Sequence, residues 1–232
     1  RALSRARAEI VSYPKVETAS ELREVIRILA EEGWIPKLHV MIETARAVLE
    51  LDDIVREPRI MGLHFGYIDL SANAGFQAYD DGRLFESAYH SPRMKIWLAA
   101  ASYGLMASGG TLVPNIQDLA AVRESVIHWR NLGYTAFVCV YPPHVQIVNE
   151  AACPSPEEIE LATAACAASK GALQRRAPGL QVTGRLLTMP AYSAANPVLE
   201  RASLRDGASG AGVPANSPHP SAAVGGDRRT VV

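Results

Sequence analysis

Two carboxylates in this sequence follow apolar segments that are typical of buried strands. Glu43 ends "IPKLHVMIE" (35–43), and Asp69 comes shortly after "RIMGLHFG" (59–66). A buried charge without a partner is costly, so each acid needs a ligand or a local structural role. If both lie at the carboxyl ends of neighbouring parallel strands, which are about 4.8 Å apart, they can converge on one cation. Two carboxylates, completed by water and substrate oxygens, favour Mg²⁺, with Mn²⁺ as the alternative.

A second interpretation of the same residues is purely structural. Glu43 precedes Thr44, where a helix pattern begins, and would cap that helix. Asp69 would cap a loop. The residues alone leave the metal site and the capping roles both open.

The elements that must position the two acids alternate along the chain. Apolar segments predict five strands, at 8–16, 35–43, 59–66, 111–115 and 135–143. Helical periodicity and end signals predict the intervening helices, at 18–33, 44–57, 91–105, 117–133 and 155–169. This alternation predicts a parallel α/β sheet, either a (β/α)8 barrel or a doubly wound sheet. No glycine-rich phosphate motif opens a helix, which counts against a nucleotide-binding Rossmann unit.

Composition sets broad limits on function. The 23 basic and 24 acidic residues give a formal net charge of −1, which predicts no attraction to nucleic acid or to an anionic membrane. No apolar run reaches the roughly 18 residues of a membrane span, and three cysteines without metal-type spacing predict free thiols. The sequence begins at Arg1 without a signal-peptide pattern, which indicates a fragment or a processed chain. We expect a cytoplasmic protein, or an organellar one if a transit peptide was removed.

Four segments resemble the citrate lyase β-subunit-like family of the HpcH/HpaI aldolase superfamily, over about residues 8–200. They are "YPKVET", "MIETARAVLELDDI", "RIMGLHFGYIDLSANAG" and "PPHVQIVNEAACPSPEEIELA". The resemblance implies a TIM (β/α)8-type barrel of the phosphoenolpyruvate-mutase-like kind, often trimeric. It also implies Mg²⁺ bound by the Glu of an "IET" motif and the Asp of an "FGxxDL" motif, which are Glu43 and Asp69 here.

The family makes or cleaves carbon–carbon bonds in acyl-CoA thioesters such as citryl-, malyl- and citramalyl-CoA. The resemblance therefore implies a Mg²⁺-dependent lyase that binds an acyl-CoA or keto-acid substrate and assembles as a homo-oligomer, a trimer or hexamer. Two alternatives stay open: a class II pyruvate aldolase of the HpaI type, and a degenerate member that binds without catalysis. The segment "NEAACPSPEEIELA" favours the lyase branch.

The resemblance also implies roles for further residues. Lys15 matches the lysine of the family's "LPK" segment and would bind an anionic group. Backbone N–H groups from Gly66 to Leu70 would hold the substrate carboxylate. Thr188 stands where relatives carry a catalytic Asp in a "GKMIDMP" segment, so the catalytic residue of this chain is unassigned. Histidines without shared ligand spacing are interpreted as packing or surface residues: His39, His64, His90 and His128.

The resemblance also implies a domain organisation. Relatives have three more strands before the "PK" segment, so this chain is expected to lack the first strands of the barrel. We predict a barrel domain at 1–180 that supplies strands four to eight, and a lid-like segment at 181–202. Residues 203–232 are rich in Gly, Ala, Ser and Pro, which predicts a disordered tail.

Overall fold

A computed structural model of the chain describes residues 8–80, 83–84, 86–175, 179–182, 185–188, 195–196 and 198–203. The chain divides into two compact units, the first ending at Val148 and the second beginning at Asn149. Each unit is described by itself.

The strands of the described residues are β1 (Ile10–Tyr13), β2 (Lys37–Ile42), β3 (Ile60–Phe65), β4 (Tyr79–Asp80), β5 (Arg83–Leu84), β6 (Met106–Gly110), β7 (Ala136–Val138), β8 (Gly179–Val182) and β9 (Arg185–Thr188). The helices are α1 (Ala19–Glu31), α2 (Ala45–Leu49), α3 (Leu51–Ile54), α4 (Tyr67–Ala74), α5 (Glu86–Ser102), α6 (Leu119–Asn131), α7 (His144–Ala151) and α8 (Pro156–Arg175). Residues 195–196 and 198–203 are also helical.

The first unit contains a five-stranded sheet in the order β1-β2-β3-β6-β7. Every pair of neighbouring strands in it is parallel. The predicted parallel α/β architecture is confirmed, and the structure is that of a partial (β/α) barrel. Within the described residues, β1 and β7 form the two edges of the sheet, since five strands do not complete an eight-stranded barrel.

Strand β2 shows how the sequence separates the two faces of this sheet. Alternate residues along a strand point to opposite faces. One row is fully buried in the hydrophobic core: Leu38, Val40 and Ile42. The other row contains Lys37, His39 and Met41, and Glu43 continues it just past the strand end. The face that carries Glu43 is therefore the face opposite the main hydrophobic core.

The predicted strand at 111–115 is wrong, because the strand is β6, five residues earlier, with the sequence MASGG. This segment lacks the branched residues that favour strands, and its burial depends on packing that the sequence pattern does not reveal. A Cβ on Gly109 would lie 3.1 Å from the Trp129 ring, and a Cβ on Gly110 would lie 3.2 Å from the Tyr67 ring. The two glycines let large aromatic side chains pack directly on the strand.

The second unit contains α8 and an antiparallel β8–β9 hairpin. The helix predicted at 155–169 is confirmed, and Ser155 caps it: its Oγ accepts from the Glu158 N–H at 3.2 Å, and its own N–H donates to the Glu158 carboxylate at 2.7 Å. The predicted domain boundary at 180 falls inside β8. The lid-like role of 181–202 stays a prediction, and residues 204–232 of the predicted tail lie outside the described residues.

The described part of the chain contains no helix with the length and apolar character needed to cross a bilayer.

Candidate active site

Glu43 lies at the carboxyl end of β2 and is 3% exposed. The helix that follows is capped by Thr44, whose Oγ1 accepts from the Ala47 N–H at 3.1 Å. The structural interpretation of Glu43 as a helix cap is therefore wrong. The Glu43 carboxylate is buried at the strand end for another reason.

Asp69 lies in the first turn of α4, a helix that the sequence patterns did not predict. Gly66 is the N-cap residue, and Asp69 is the third residue of the helix. The interpretation of Asp69 as a loop cap is therefore also wrong. The N-terminus of a helix favours a negative charge, so α4 places the Asp69 carboxylate where the helix dipole is favourable to it.

Lys15 contacts both acids. Its backbone N–H donates to Glu43 Oε1 at 2.8 Å, and its side-chain Nζ donates to Asp69 Oδ1 at 2.9 Å. The hydrogen bond and charge of Asp69 raise the pKa of Lys15. Burial raises the pKa of Glu43, and the Lys15 N–H opposes this shift. The structure thus brings together the three side chains that the sequence singled out from three separate segments.

Gly66 leaves the space in which the Glu43 side chain lies. A Cβ at this position would be 2.6 Å from both Glu43 Cβ and Glu43 Oε2, closer than real Cβ atoms approach other heavy atoms. Its φ of −84° is open to any residue, so the requirement for glycine is steric. A side chain at position 66 would displace the carboxylate.

Within the predicted donor segment from Gly66 to Leu70, the N–H groups at the two ends already have acceptors in the protein, and substrate binding by the segment stays a prediction. The Gly66 N–H donates to Ile42 O at 3.1 Å, and the Leu70 N–H donates to Gly66 O at 3.0 Å. The first three N–H groups of a helix have no acceptor within it, and in α4 they belong to Tyr67, Ile68 and Asp69. These three, rather than the flanking pair, are the donors that α4 can offer.

A cavity of about 210 Å³ lies beside the two acids. Its lining comes from the ends of β2, β3, β6 and β7 and from the start of α4: Met41, Glu43, His64, Phe65, Gly66, Tyr67, Ile68, Asp69, Gly110, Leu112, Val138 and Val140. His64 is the lining residue that sequence reasoning missed, because a single histidine in an apolar strand has no spacing that marks it. The lining is apolar except at a few points, as is typical of small-ligand sites.

His144, in the segment "PPHVQIVNEAACPSPEEIELA", is fully buried. One ring nitrogen lies 2.9 Å from Thr111 Oγ1, and the other lies 2.7 Å from Ile116 O. Both nitrogens are therefore used within the first unit. Thr188 lies in β9 of the second unit, where it pairs with Gly179, and its role stays a prediction.

The donor set beside the cavity fits a hard divalent cation. Glu43 and Asp69 offer carboxylate oxygens, and Gly66 keeps the space beside Glu43 free of a side chain. The described residues contain no cluster of three or more His, Cys, Asp or Glu side chains with metal-site geometry. Two carboxylates with otherwise water and substrate oxygens suit Mg²⁺, which retains several waters in its protein sites.

The first unit is thus a partial parallel α/β barrel with one acid at the end of β2 and a second acid in the helix that follows β3. The profile of the HpcH/HpaI aldolase/citrate lyase family matches residues 1–142. This chain belongs to the HpcH/HpaI aldolase/citrate lyase family.

Several relatives match most of this chain. The (3S)-malyl-CoA thioesterase of Cereibacter sphaeroides is 30% identical over 181 residues, which cover 78% of this chain and 60% of the relative. A citrate lyase subunit beta-like protein of Mycobacterium tuberculosis is 28% identical, with 83% of this chain and 66% of the relative covered. The chain thus spans about 60% of the length of the thioesterase.

The crystal structure of CitE from Mycobacterium tuberculosis in complex with magnesium, acetoacetate and coenzyme A has a similar fold. The TM-score is 0.71 at 25% sequence identity, with 84% of this chain and 68% of CitE covered.

Proposed function

We propose that this chain carries the metal and substrate site of a Mg²⁺-dependent carbon–carbon lyase. The substrate class is a 3-hydroxyacyl-CoA thioester resembling citryl-, malyl- or citramalyl-CoA. The observation that carries the proposal is the pair of acids, Glu43 and Asp69, that meet at Lys15 beside a cavity of about 210 Å³. Family membership and the ligands of the CitE structure support it.

Glu43 and Asp69 would hold the Mg²⁺. When bound, the ion supplies a positive charge that stabilises negative charge developing on the oxygens of the keto-acid part of the substrate. Glu43 contributes a carboxylate fixed by burial and by the Lys15 N–H. Asp69 contributes a carboxylate fixed by α4, with half of its side chain still accessible to a ligand.

The carboxylate of the keto-acid part would bind at the N-terminus of α4. The N–H groups of Tyr67, Ile68 and Asp69 are the donors that this helix end offers, and helix N-termini favour anions. Lys15, whose side chain is 68% exposed, adds a positive charge beside Asp69 in the first turn of α4. A cavity of about 210 Å³ suits a small acid, so the CoA part of the substrate would extend outside it.

A second candidate function is hydrolysis of the thioester. It is favoured by the similarity to a (3S)-malyl-CoA thioesterase. Both reactions would use the same acids and the same helix end, and they differ in whether the C–C bond or the C–S bond breaks. A homo-oligomer, a trimer or hexamer, is part of the proposal, and light scattering of the purified chain tests it.

Product analysis separates the candidates. The purified chain is incubated with Mg²⁺ and malyl-, citramalyl- or citryl-CoA, and the products are separated by chromatography. Acetyl-CoA with the matching keto acid or glyoxylate supports the lyase, and free CoA with the matching hydroxy acid supports the thioesterase. Condensation of free pyruvate with an aldehyde would indicate the class II aldolase alternative. If none of these reactions gives a product, the lyase, thioesterase and aldolase functions are all overturned. The remaining alternative is then a family member that binds ligands without catalysis.

Asp69→Asn is the variant expected to be inactive in this assay. Asp53→Asn is the matched control, because it makes the same substitution outside the site. Asp53 is an exposed acid on α3 that pairs with Arg56 at 3.0 Å, away from the cavity lining. The proposal predicts that the first variant loses activity and that the second keeps it.

A further inference from the structure

Four polar side chains form a hydrogen-bonded series across the sheet and end at the cavity. Ser12 Oγ lies 3.1 Å from His39 Nδ1. His39 Nε2 lies 2.7 Å from Ser108 Oγ, and Ser108 Oγ lies 3.0 Å from His64 Nδ1. His64 lines the cavity that Glu43 and Asp69 border. The series therefore connects the cavity to the edge strand β1.

Strand register explains how these residues meet. Ser12 is the register partner of His39, and His64 is the register partner of Ser108. His39 on β2 and Ser108 on β6 lie on either side of β3, so the contact between them must cross that strand. The residue of β3 beside His39 is Gly62, where a Cβ would lie 3.1 Å from the Met106 side chain, so β3 carries no side chain at this point of the crossing.

The three inner members are buried. His39 is 7% exposed, His64 is 5% exposed and Ser108 is 1% exposed. Aliphatic side chains at these positions would fill the same space without the cost of burying polar groups. Burial lowers the pKa of His39, and burial together with His39 lowers the pKa of His64 to about 4. Both rings are therefore neutral near pH 7.

The ring nitrogen of His64 that Ser108 does not hold is suited to proton transfer. A neutral imidazole has one N–H and one lone pair. Because Ser108 holds Nδ1, the other ring nitrogen is the one left for a ligand in the cavity. Ser108 also donates weakly to Leu63 O at 3.4 Å, so it can accept the Nδ1–H of His64 and leave the lone pair on the cavity side.

The other titratable groups of the cavity lining have different tasks. Glu43 and Asp69 are the proposed metal ligands. The Tyr67 hydroxyl donates to Leu112 O at 2.6 Å, and burial raises the pKa of Tyr67 far above neutrality. Among the lining residues that the structure describes, His64 is thus the one whose neutral ring keeps a nitrogen free to accept a proton from a bound substrate.

We propose that His64 is the catalytic acid–base residue of this cavity and that Ser108 and His39 are positioning residues that hold its ring. The inference rests on the proposed lyase function. The cavity-side nitrogen of His64 takes the proton of the substrate's C3 hydroxyl, and the O–H electron pair forms the C=O bond. The C2–C3 bond breaks, and its electron pair goes to C2. The imidazolium then returns the proton to C2, which yields the acyl-CoA and the keto acid and restores neutral His64.

The variant His64→Asn tests the proposal. The Asn side chain keeps a donor near the position of Nδ1, toward Ser108, and removes the cavity-side nitrogen. We expect Mg²⁺ and oxaloacetate to bind within about threefold of wild type by calorimetry. The kcat for malyl-CoA cleavage should fall by about 10²–10⁴-fold at a KM close to that of wild type. His90→Asn changes an exposed histidine on α5 and should keep the wild-type kcat.

Ser108→Ala tests whether Ser108 positions the His64 ring. If His64→Asn fails to fold, this variant provides the test of the proposal. We expect its kcat to fall by about tenfold, with unchanged Mg²⁺ affinity, because the ring of His64 loses its support. An unchanged kcat in the folded variants, with binding intact, would overturn the inference and leave the proposed function standing. Loss of Mg²⁺ affinity in His64→Asn would also overturn it. A wild-type chain that binds no Mg²⁺, or binds it without cleaving any thioester, would overturn the proposed lyase function and the inference with it.

Discussion

The backbone N–H of Lys15 donates to Glu43 Oε1 at 2.8 Å, while the ammonium of the same residue donates to Asp69 Oδ1 at 2.9 Å. One residue therefore bridges the two acids, Glu43 at the end of β2 and Asp69 in the first turn of α4. Lys15 adopts a φ of +51°, a left-handed conformation that costs a non-glycine residue roughly 1–2 kcal/mol. Such strain is concentrated at functional sites, where the surrounding structure maintains it.

Replacing Lys15 by Met should tighten the binding of Mg²⁺ alone. The ammonium and the ion compete for Asp69, and we expect an increase in affinity of about 3–10-fold when this competition is removed. The affinity for oxaloacetate in the presence of Mg²⁺ should fall, because a positive charge is lost beside α4. Calorimetry measures both effects, with Lys37→Met, an exposed lysine at the start of β2, as the control. Mg²⁺ affinity that is unchanged or weaker in Lys15→Met would contradict the proposed competition.

Gly66→Ala should weaken Mg²⁺ binding by at least about tenfold and destabilise the fold by about 1–3 kcal/mol. The new Cβ would lie 2.6 Å from Glu43 Oε2, so the carboxylate must move. Urea unfolding and calorimetry check the two effects. The control Gly33→Ala has a φ of +69° and no heavy atom within 4 Å of the new Cβ. It should lose stability through backbone strain and keep its Mg²⁺ affinity, and a parallel loss of affinity there would rule out the steric explanation.

Glu43→Gln should separate stability from function. Burial raises the pKa of Glu43, which means that its negative charge is unfavourable in the folded state. The neutral amide can still accept the Lys15 N–H, so we expect the free energy of unfolding at pH 7 to rise by about 0.5 kcal/mol while Mg²⁺ binding is lost. Thermal unfolding and calorimetry test this trade-off. A variant that is less stable and still binds Mg²⁺ would contradict it.

The free energy of unfolding should fall as the pH drops from 6.5 toward 4. An unfolded histidine protonates near pH 6.5, whereas His64 in the folded protein stays neutral down to a pKa of about 4. Protons therefore bind preferentially to the unfolded chain in this window. At pH 5 the loss from His64 is about 2 kcal/mol by linkage.

Urea unfolding at pH 7 and pH 5 measures this dependence. His64→Asn should flatten it, and His90→Asn should not. Equal pH dependence in wild type and His64→Asn would show that His64 is not the source.

The sequence was sufficient to place Glu43 at a strand end, to place Asp69 shortly after the next strand and to predict parallel strands, because these features follow from local apolar patterns. It did not predict α4, since "GYIDLSANAG" is short and its helical start depends on Gly66 packing against Glu43. The exact strand at 106–110 was missed because small residues carry no periodic signal. The link between His39, Ser108 and His64 depends on register across three strands, which a sequence pattern does not contain.

A Mg²⁺ titration by calorimetry, with and without oxaloacetate, tests whether Glu43 and Asp69 form a metal site. Wild-type protein, Asp69→Asn and the matched control Asp53→Asn are compared. We expect Mg²⁺ to bind wild type and Asp53→Asn, more tightly in the presence of oxaloacetate. We expect no Mg²⁺ binding to Asp69→Asn. Equal binding in all three proteins, or none in wild type, would contradict the assignment of Glu43 and Asp69 as the metal site.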